Sequence, residues 1–285
     1  MSNIKKIDFM VIVDVRNGNP NGDPDNGNMP RMDANTGKGW ITDVAFKRRL
    51  RDYLLIRYPN LEGYEIYVQQ GVHLNTQHKR AYDKLGISAE PPEKQKRTNP
   101  NKLQLEEIQK ILCETFFDIR TFGAVMGTKV NAGHVKGPVQ INMGESVDPI
   151  FPEDLRITRV AKTREDDDGD TEFGDKNIVP YGLYVFTGHI SPLLAEKTGF
   201  SEDDLEVLWK AIEWMYEFDR SSSKGLMTTQ KLYVFEHDSV YGNAHADKLF
   251  DLVNIESKVD NPRSFSDYEI TVGEEPDGVK IIEKI

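Results

Sequence analysis

Three groups of basic side chains in this sequence are spaced so that they can hold a run of phosphates. Lys47, Arg48 and Arg51 follow one another within about one turn of a predicted helix, with Arg49 and Arg57 beside them. Arg120-Thr-Phe122-Gly-Ala-Val-Met-Gly127 puts a cation, an aromatic ring and two glycines into eight residues. A flexible single strand of nucleic acid asks for that mixture: charge for phosphate, a flat face for a base, bare backbone where the chain comes close. Arg156, Arg159, Lys162 and Arg164 lie on a predicted strand. Arg159 falls in register beside Ile157, so these cations do not all share one face. Each group has a plain alternative. The helix patch reads equally well as a solvated face, and Phe122 and Met126 as core residues. His134 lies among glycines in a polar segment and is open to ligand contact.

Other chemistries find little support. No Gly-x-Ser-x-Gly, phosphate-binding loop or dinucleotide fingerprint occurs, and none of the six histidines forms a His-Glu-x-x-His pair. Asn21, Asp23 and Asp25 alternate as in a calcium loop, but position six is Asn26 and position twelve is Met32, where such a loop needs Gly and Glu. Asp166, Asp167, Asp168 and Asp170 read as a solvated turn. His189 sits in a strand pattern and reads as structural. Cys113 is the one cysteine, so an internal disulfide or a cysteine metal cage is excluded, and its apolar neighbours make it a buried helix residue. A metal-dependent RNA endonuclease using Asp23 or Asp118, and an assembly protein without RNA contact, stand as alternatives.

The elements that must carry these residues follow from periodicity. Residues 7–15 read as a buried strand. Asn17 to Gly39 is a long polar stretch rich in turn steps, whose order would call for a function or a partner. Residues 42–57 form a helix capped by Thr42 or Asp43, with Phe46, Leu50, Tyr53 and Leu54 inward. A short strand is expected at 65–72, a polar mobile segment at 91–100, and a helix at 103–117. Residues 155–164 and 179–190 make a long hairpin arm with an acidic tip. A helix at 202–218 and strands at 226–235, 268–272 and 279–282 complete the chain. The order matches a split β-α-β arrangement with helices on one sheet face, and many RNA-binding domains use the other, open face.

The formal charge of −11 at first opposes nucleic acid, but its distribution is uneven. Residues 196–285 hold 20 acidic against 10 basic groups, whereas residues 1–57 hold 10 basic against 7 acidic. A local basic track is compatible with that balance, since screening makes phosphate respond to nearby charge. Neither a signal peptide nor an apolar span is apparent, and a cytoplasmic location is expected.

Four stretches in order resemble the repeated backbone subunit of type I CRISPR interference (Cascade) complexes, most like subtype I-C. They are Asn17-Gly-Asn-Pro-Asn-Gly-Asp23, Asp118-Ile-Arg-Thr-Phe-Gly-Ala-Val-Met-Gly127, Gly133-His-Val-Lys-Gly-Pro-Val-Gln140 and Ile178-Val-Pro-Tyr-Gly-Leu-Tyr184. The resemblance implies an α+β fold: a modified RNA-recognition (ferredoxin-like) palm, an inserted helical fingers region and a β-hairpin thumb. It divides the chain into palm at 1–59, fingers-like insertion at 60–116, palm at 117–154, thumb at 155–178, and palm with C-terminal strands at 179–285. It implies no enzyme and no cofactor. The implied partners are guide RNA (crRNA), target DNA paired with that guide, further copies of the chain stacked head to tail, and other subunits of the interference complex, with no membrane. It would set Asn17, Asn19, Asn21, Lys47, Arg48 and Arg51 along the guide backbone. Arg120, Phe122, His134 and Lys136 would follow the same channel, and Arg156, Arg159 and Lys162 would belong to the thumb. The acidic thumb tip departs from what phosphate contact asks for and is expected to meet a neighbouring subunit or project away.

Overall fold

In a computed structural model, which describes residues 4–159 and 172–285, the chain begins with the 12-residue strand β1 (Ile7–Gly18). Two short strands, β2 (Gly22–Asp23) and β3 (Met29–Pro30), and then β4 (Lys38–Ile41) lead to helix α1 (Asp43–Arg57). Helices α2 (Leu74–Leu85), α3 (Lys102–Thr115) and α4 (Phe117–Phe122) follow, then a hairpin of β5 (Gly123–Gly127) and β6 (Asn131–Lys136). Strands β7 (Val139–Ile141), β8 (Gly144–Pro149), β9 (Glu153–Arg159) and β10 (Glu172–Ile190) come next. The last third holds α5 (Pro192–Thr198), α6 (Glu202–Phe218), β11 (Leu226–His237), α7 (Ala246–Phe250), β12 (Val253–Ser257), β13 (Tyr268–Val272) and β14 (Val279–Glu283).

The central antiparallel sheet runs β14-β11-β1-β10-β8-β4, with β7 also paired to β10. Within it, β1, β7, β10 and β11 stand in the order β11-β1-β10-β7, joined through α1 and α6. That is the connectivity of two interleaved β-α-β units, as the periodicity predicts. Phe9, Val11 and Val13 face Phe46, Leu50 and Leu54 of α1 and Leu208, Trp209 and Ile212 of α6. The rings of Phe9 and Trp209 meet edge to face at 5.3 Å.

The opposite face is not open. Met10, Ile12, Leu183, Tyr233 and Phe235 are buried beneath Leu249, Val253 and Tyr268, supplied by α7, β12 and β13. Covering both faces explains why residues 9–13 are continuously apolar instead of alternating. It also leaves no open sheet face of the kind that many RNA-binding domains use.

A second, smaller core gathers Tyr67, Tyr82, Ile108, Leu112, Cys113, Phe116, Met126 and Ala132, so this unit extends beyond residue 116. The seam between the two cores is α4: Phe117 and Phe122 point into the main core and Ile119 into the smaller one. The helix predicted to end at 117 stops at Thr115, Phe116 is extended, and Phe117–Phe122 form a separate helix. The strand expected at 65–72 is reduced to a single bridge between Glu65 and Phe116, because the Tyr67 and Val68 amides donate to Asp118 instead of to a ladder. Helix α2 was not anticipated.

The arm exists with a shifted register. Its ascending strand β9 pairs with Glu172–Ile178, and β10 continues without a break to Ile190 at the centre of the sheet. Lys162, Arg164 and the acidic tip lie outside the described residues, as does the side chain of Arg159. Among the described residues no helix is long and apolar enough to cross a membrane.

Candidate nucleic-acid interface

Residues 17–42 order themselves through their own short side chains. The Asn19 Nδ2 donates to the Asn28 carbonyl at 2.7 Å, and Asp23 accepts from Arg31 at 3.2 Å. Asn21 Oδ1 accepts the Thr42 amide at 2.8 Å, and Thr42 in turn caps α1 through the Ala45 amide. Asn19 is buried, and Asn21 is tied to the start of the helix. Asn17 is exposed and adopts φ +50°, a left-handed conformation that asparagine tolerates. Of these three, Asn17 alone offers its side chain outward. These internal bonds hold the stretch together, although the buried Asn19 Oδ1 finds no partner among the described residues.

Helix α1 divides its cations between two surroundings. Arg48 is held by Asp52 at 2.8 Å, and Arg49 by Asp219 at 2.8 Å. On the adjoining face, Lys47 (paired with Asp43 at 2.9 Å) and Arg51 lie over the Phe122 ring, at 5.7 and 5.6 Å from its centre. Arg51 is nearly enclosed and bonds Asp118 at 2.8 Å. The Asp118 carboxylate also accepts the Tyr67 and Val68 amides, at 2.8 and 3.1 Å. Its lone pairs are therefore committed to organising the seam, which leaves little for a metal. No cluster of metal-ligating side chains occurs among the described residues.

Arg120, read as a phosphate contact, is a buried strut. Its guanidinium makes a two-point contact with Asp204 of α6 at 2.7 and 2.9 Å, donates to the Gly63 and Cys113 carbonyls, and rests on the Tyr64 and Phe117 rings. Every side of it is occupied by protein. The glycines around it have a local role as well. A Cβ on Gly123 (φ +80°) would come within 2.3 Å of the Val135 carbonyl oxygen, and one on Gly137 within 2.3 Å of the Phe122 backbone. Bare backbone is required here for the hairpin to close on itself.

Phe122, buried in most of its surface, forms one wall of an open groove of about 770 Å³. The other walls are Arg97, Gly123, Val125, His134, Lys136 and Gln140. His134 and Lys136 are exposed and project from alternate positions of β6, opposite Val125 and Gly123 on β5. Val125 is 84% exposed. An apolar side chain beside an imidazole, flanked by a lysine with no ion pair among the described residues, combines the flat apolar face and free cation that base and phosphate contacts ask for.

A second cationic locus lies at the end of the sheet. Lys224 donates to the Pro20 carbonyl at 3.2 Å, and Lys176, at the root of the arm, donates to Ser222 at 3.2 Å. Burial, reinforced by the neighbouring Arg49 charge, holds the Lys224 ammonium below the ordinary lysine range. On the arm, Arg156 is exposed and lies over Phe173 at 4.6 Å.

The sequence-predicted residues are thus partly brought together. Phe122, His134 and Lys136 line one groove, Lys47 meets it only through the Phe122 ring, and Asn17 stands at the sheet end. Arg48 and Arg156 lie elsewhere on the surface, and Arg51 and Arg120 point inward. Val125, Gln140, Arg97 and Lys224 were not anticipated. Arg97 belongs to a polar run set aside as mobile, and Lys224 follows three serines and precedes Gly225, a turn signal between a helix and a strand.

Comparison with known proteins extends over most of the chain. A family model described as CRISPR-associated protein Cas7 matches residues 5–273. The CRISPR-associated protein Cas7 of Haloferax volcanii is 26% identical over 301 residues, spanning 96% of this chain and 82% of the relative. A solved chain of a CRISPR RNA-guided surveillance complex, pre-nicking, superposes with a TM-score of 0.53 at 13% identity, over 81% of this chain and 78% of that one. This last likeness is one of fold.

Proposed function

The chain belongs to the CRISPR-associated Cas7 family, and from that premise we propose that it binds guide RNA as a repeated subunit of a CRISPR interference complex, subtype I-C. The observation that carries the reading is the family match over residues 5–273. In this reading the central sheet with α1 and α6 is the palm, the second core with the β5–β6 hairpin is the fingers, and β9 with the first part of β10 is the thumb. Copies stack head to tail along one guide, the thumb kinks it at intervals, and the bases between kinks pair with target DNA. Lys and Arg hold phosphate without reading sequence, while base pairing supplies specificity. The subunit itself performs no cleavage.

The groove between Phe122 and the β5–β6 hairpin is the preferred track for the guide. Lys136 has no ion pair among the described residues, and Lys47 is paired with Asp43, a carboxylate that is itself partly exposed. Arg51 is left out of the track because its removal would strip Asp118 of its partner inside the protein.

The test is the double substitution Lys47→Ala with Lys136→Ala, assayed by filter binding to several unrelated single-stranded RNAs across a salt series. Affinity should fall by similar factors for every RNA, and the salt slope should drop by about 1.4, near 0.7 for each phosphate that is no longer neutralised. Co-purified RNA of uniform length accompanies the wild-type complex. A nucleic-acid-free, monodisperse wild-type protein without RNA affinity overturns the reading.

A further inference from the structure

The turn at residues 221–225 carries features that a mere connection between α6 and β11 does not explain. It is locked backbone to backbone against the end of β1. A Cβ on Gly18 would lie 1.9 Å from the Lys224 carbonyl oxygen, and one on Gly225 (φ +63°) would lie 2.3 Å from the Arg16 carbonyl oxygen. Across the same interface, the Asn19 amide donates to the Ser223 carbonyl at 2.8 Å. The position of Lys224 is therefore fixed by main chain on both sides.

Its ammonium is poorly matched within the protein. Among the described residues the Pro20 carbonyl is its one hydrogen-bond acceptor, which leaves two N–H donors for an outside group. Asp219, the nearby carboxylate, forms an ion pair with Arg49 at 2.8 Å, although its Oδ2 makes no hydrogen bond among the described residues, and Lys224 does not bond it. Glu217 is taken by Arg220. Ser221, Ser222 and Ser223 are exposed along the rim, and Lys176 reaches Ser222 from the root of the arm. Two lysines, exposed hydroxyls and a rigid turn thus converge where β1 ends and β11 begins, beside the stretch of β10 that carries Lys176.

We propose that the 221–225 turn grips one phosphodiester of a single-stranded RNA as the strand passes the root of the β9–β10 arm, with Lys224 as the cation that holds it. The inference rests on the RNA-binding reading above and adds a second anchor to it, on the far side of α1 from the Phe122 groove. Because burial and Arg49 disfavour the charged lysine in the free protein by more than Asp219 favours it, an incoming phosphate relieves an existing penalty. Removing the charge therefore has opposite effects on the two states: the free protein gains or keeps stability, and RNA binding weakens.

The experiment compares wild type, Lys224→Gln, Lys224→Arg and Ser222→Glu. Each is assayed for binding to two unrelated single-stranded RNAs over a salt series and for thermal unfolding without RNA. Lys224→Gln should bind roughly tenfold more weakly to both RNAs, with a salt slope smaller by about 0.7, and should unfold no earlier than wild type. Lys224→Arg should retain most of the affinity. Ser222→Glu, on the exposed rim, tests the turn without touching its packing and should weaken binding as well. Wild-type affinity and slope in both Lys224→Gln and Ser222→Glu would overturn the turn as an anchor while leaving the groove reading intact. Failure of the wild-type protein to bind any RNA would overturn both.

Discussion

Arg120 and Arg51 illustrate how a basic residue in a suggestive motif can be recruited by the interior. Both lie at the seam between the two cores, each facing a buried carboxylate. Removing one member leaves an unpaired charge out of water, so Arg120→Ala should lose about 3–5 kcal/mol in denaturant unfolding. Restoring neutrality by combining Arg120→Met with Asp204→Leu should recover much of the loss. Asp8 gives a pH-dependent counterpart. Burial pushes its carboxyl up, but hydrogen bonds from His189 at 2.5 Å, Lys6 at 2.7 Å and His237 at 2.8 Å outweigh burial and hold it well below the usual carboxylate range. His237 accepts the Asn243 amide on its other nitrogen, which assigns its proton to the side facing Asp8. A depressed carboxylate stabilises the fold above its ordinary value near 3.8 and loses that contribution as pH falls through the folded value. Acid titration of stability should show this loss below about pH 4, and Asp8→Asn should flatten it while costing on the order of 2 kcal/mol at neutral pH. Cys113 should resist thiol reagents in the native state, since burial raises its thiol to about 12 and it reacts as the thiolate.

At the scale of elements, the described outer part of the β9–β10 arm leaves its large apolar side chains outside the cores: Leu155, Ile157 and Phe173 are all exposed. Replacing residues 158–173 with a short turn should leave the melting temperature within a few degrees of wild type. The same deletion should abolish periodic protection of the guide in nuclease footprinting of the assembled complex, and unchanged periodicity would remove the arm as the spacing device. Main-chain elements with strong periodicity were legible in the sequence. Helices α1 and α6, strands β1, β11, β13 and β14, and the interleaved β-α-β order all follow from apolar spacing and caps. What was not legible depends on distant partners. Residues 65–72 form no strand because Asp118 captures two amides from a different segment. Residues 118–122 are helical because both cores pull on opposite faces of one short turn. The groove was half legible. His134 and Lys136 sit in a motif that stands out, whereas Val125 and Gln140 gain meaning only when β5 and β6 pair. Of the glycines singled out, Gly123 and Gly137 admit the backbone of their own chain.

Over the whole molecule, an excess of 11 negative charges coexists with local cationic surfaces because so many basic groups are tied to carboxylates and the acidic surplus sits in the last third. Such a chain should bind RNA weakly as a single copy and more tightly as neighbours join it along one strand. Titration of an RNA long enough for several copies should therefore be steeper than titration of an RNA that holds one. Both should weaken with salt.

Strand β10 is 19 residues long and changes partners along its length, from β9 at its start to β1 in the middle of the sheet. At about 3.3 Å per residue it is a beam of roughly 60 Å whose inner half is clamped on both edges. No joint separates the cantilevered half from the anchored half. Load applied to the outer end is delivered as bending of the anchored sheet instead of being absorbed by a swivel, so that, in the proposed reading, the interval the arm imposes is set by main-chain geometry.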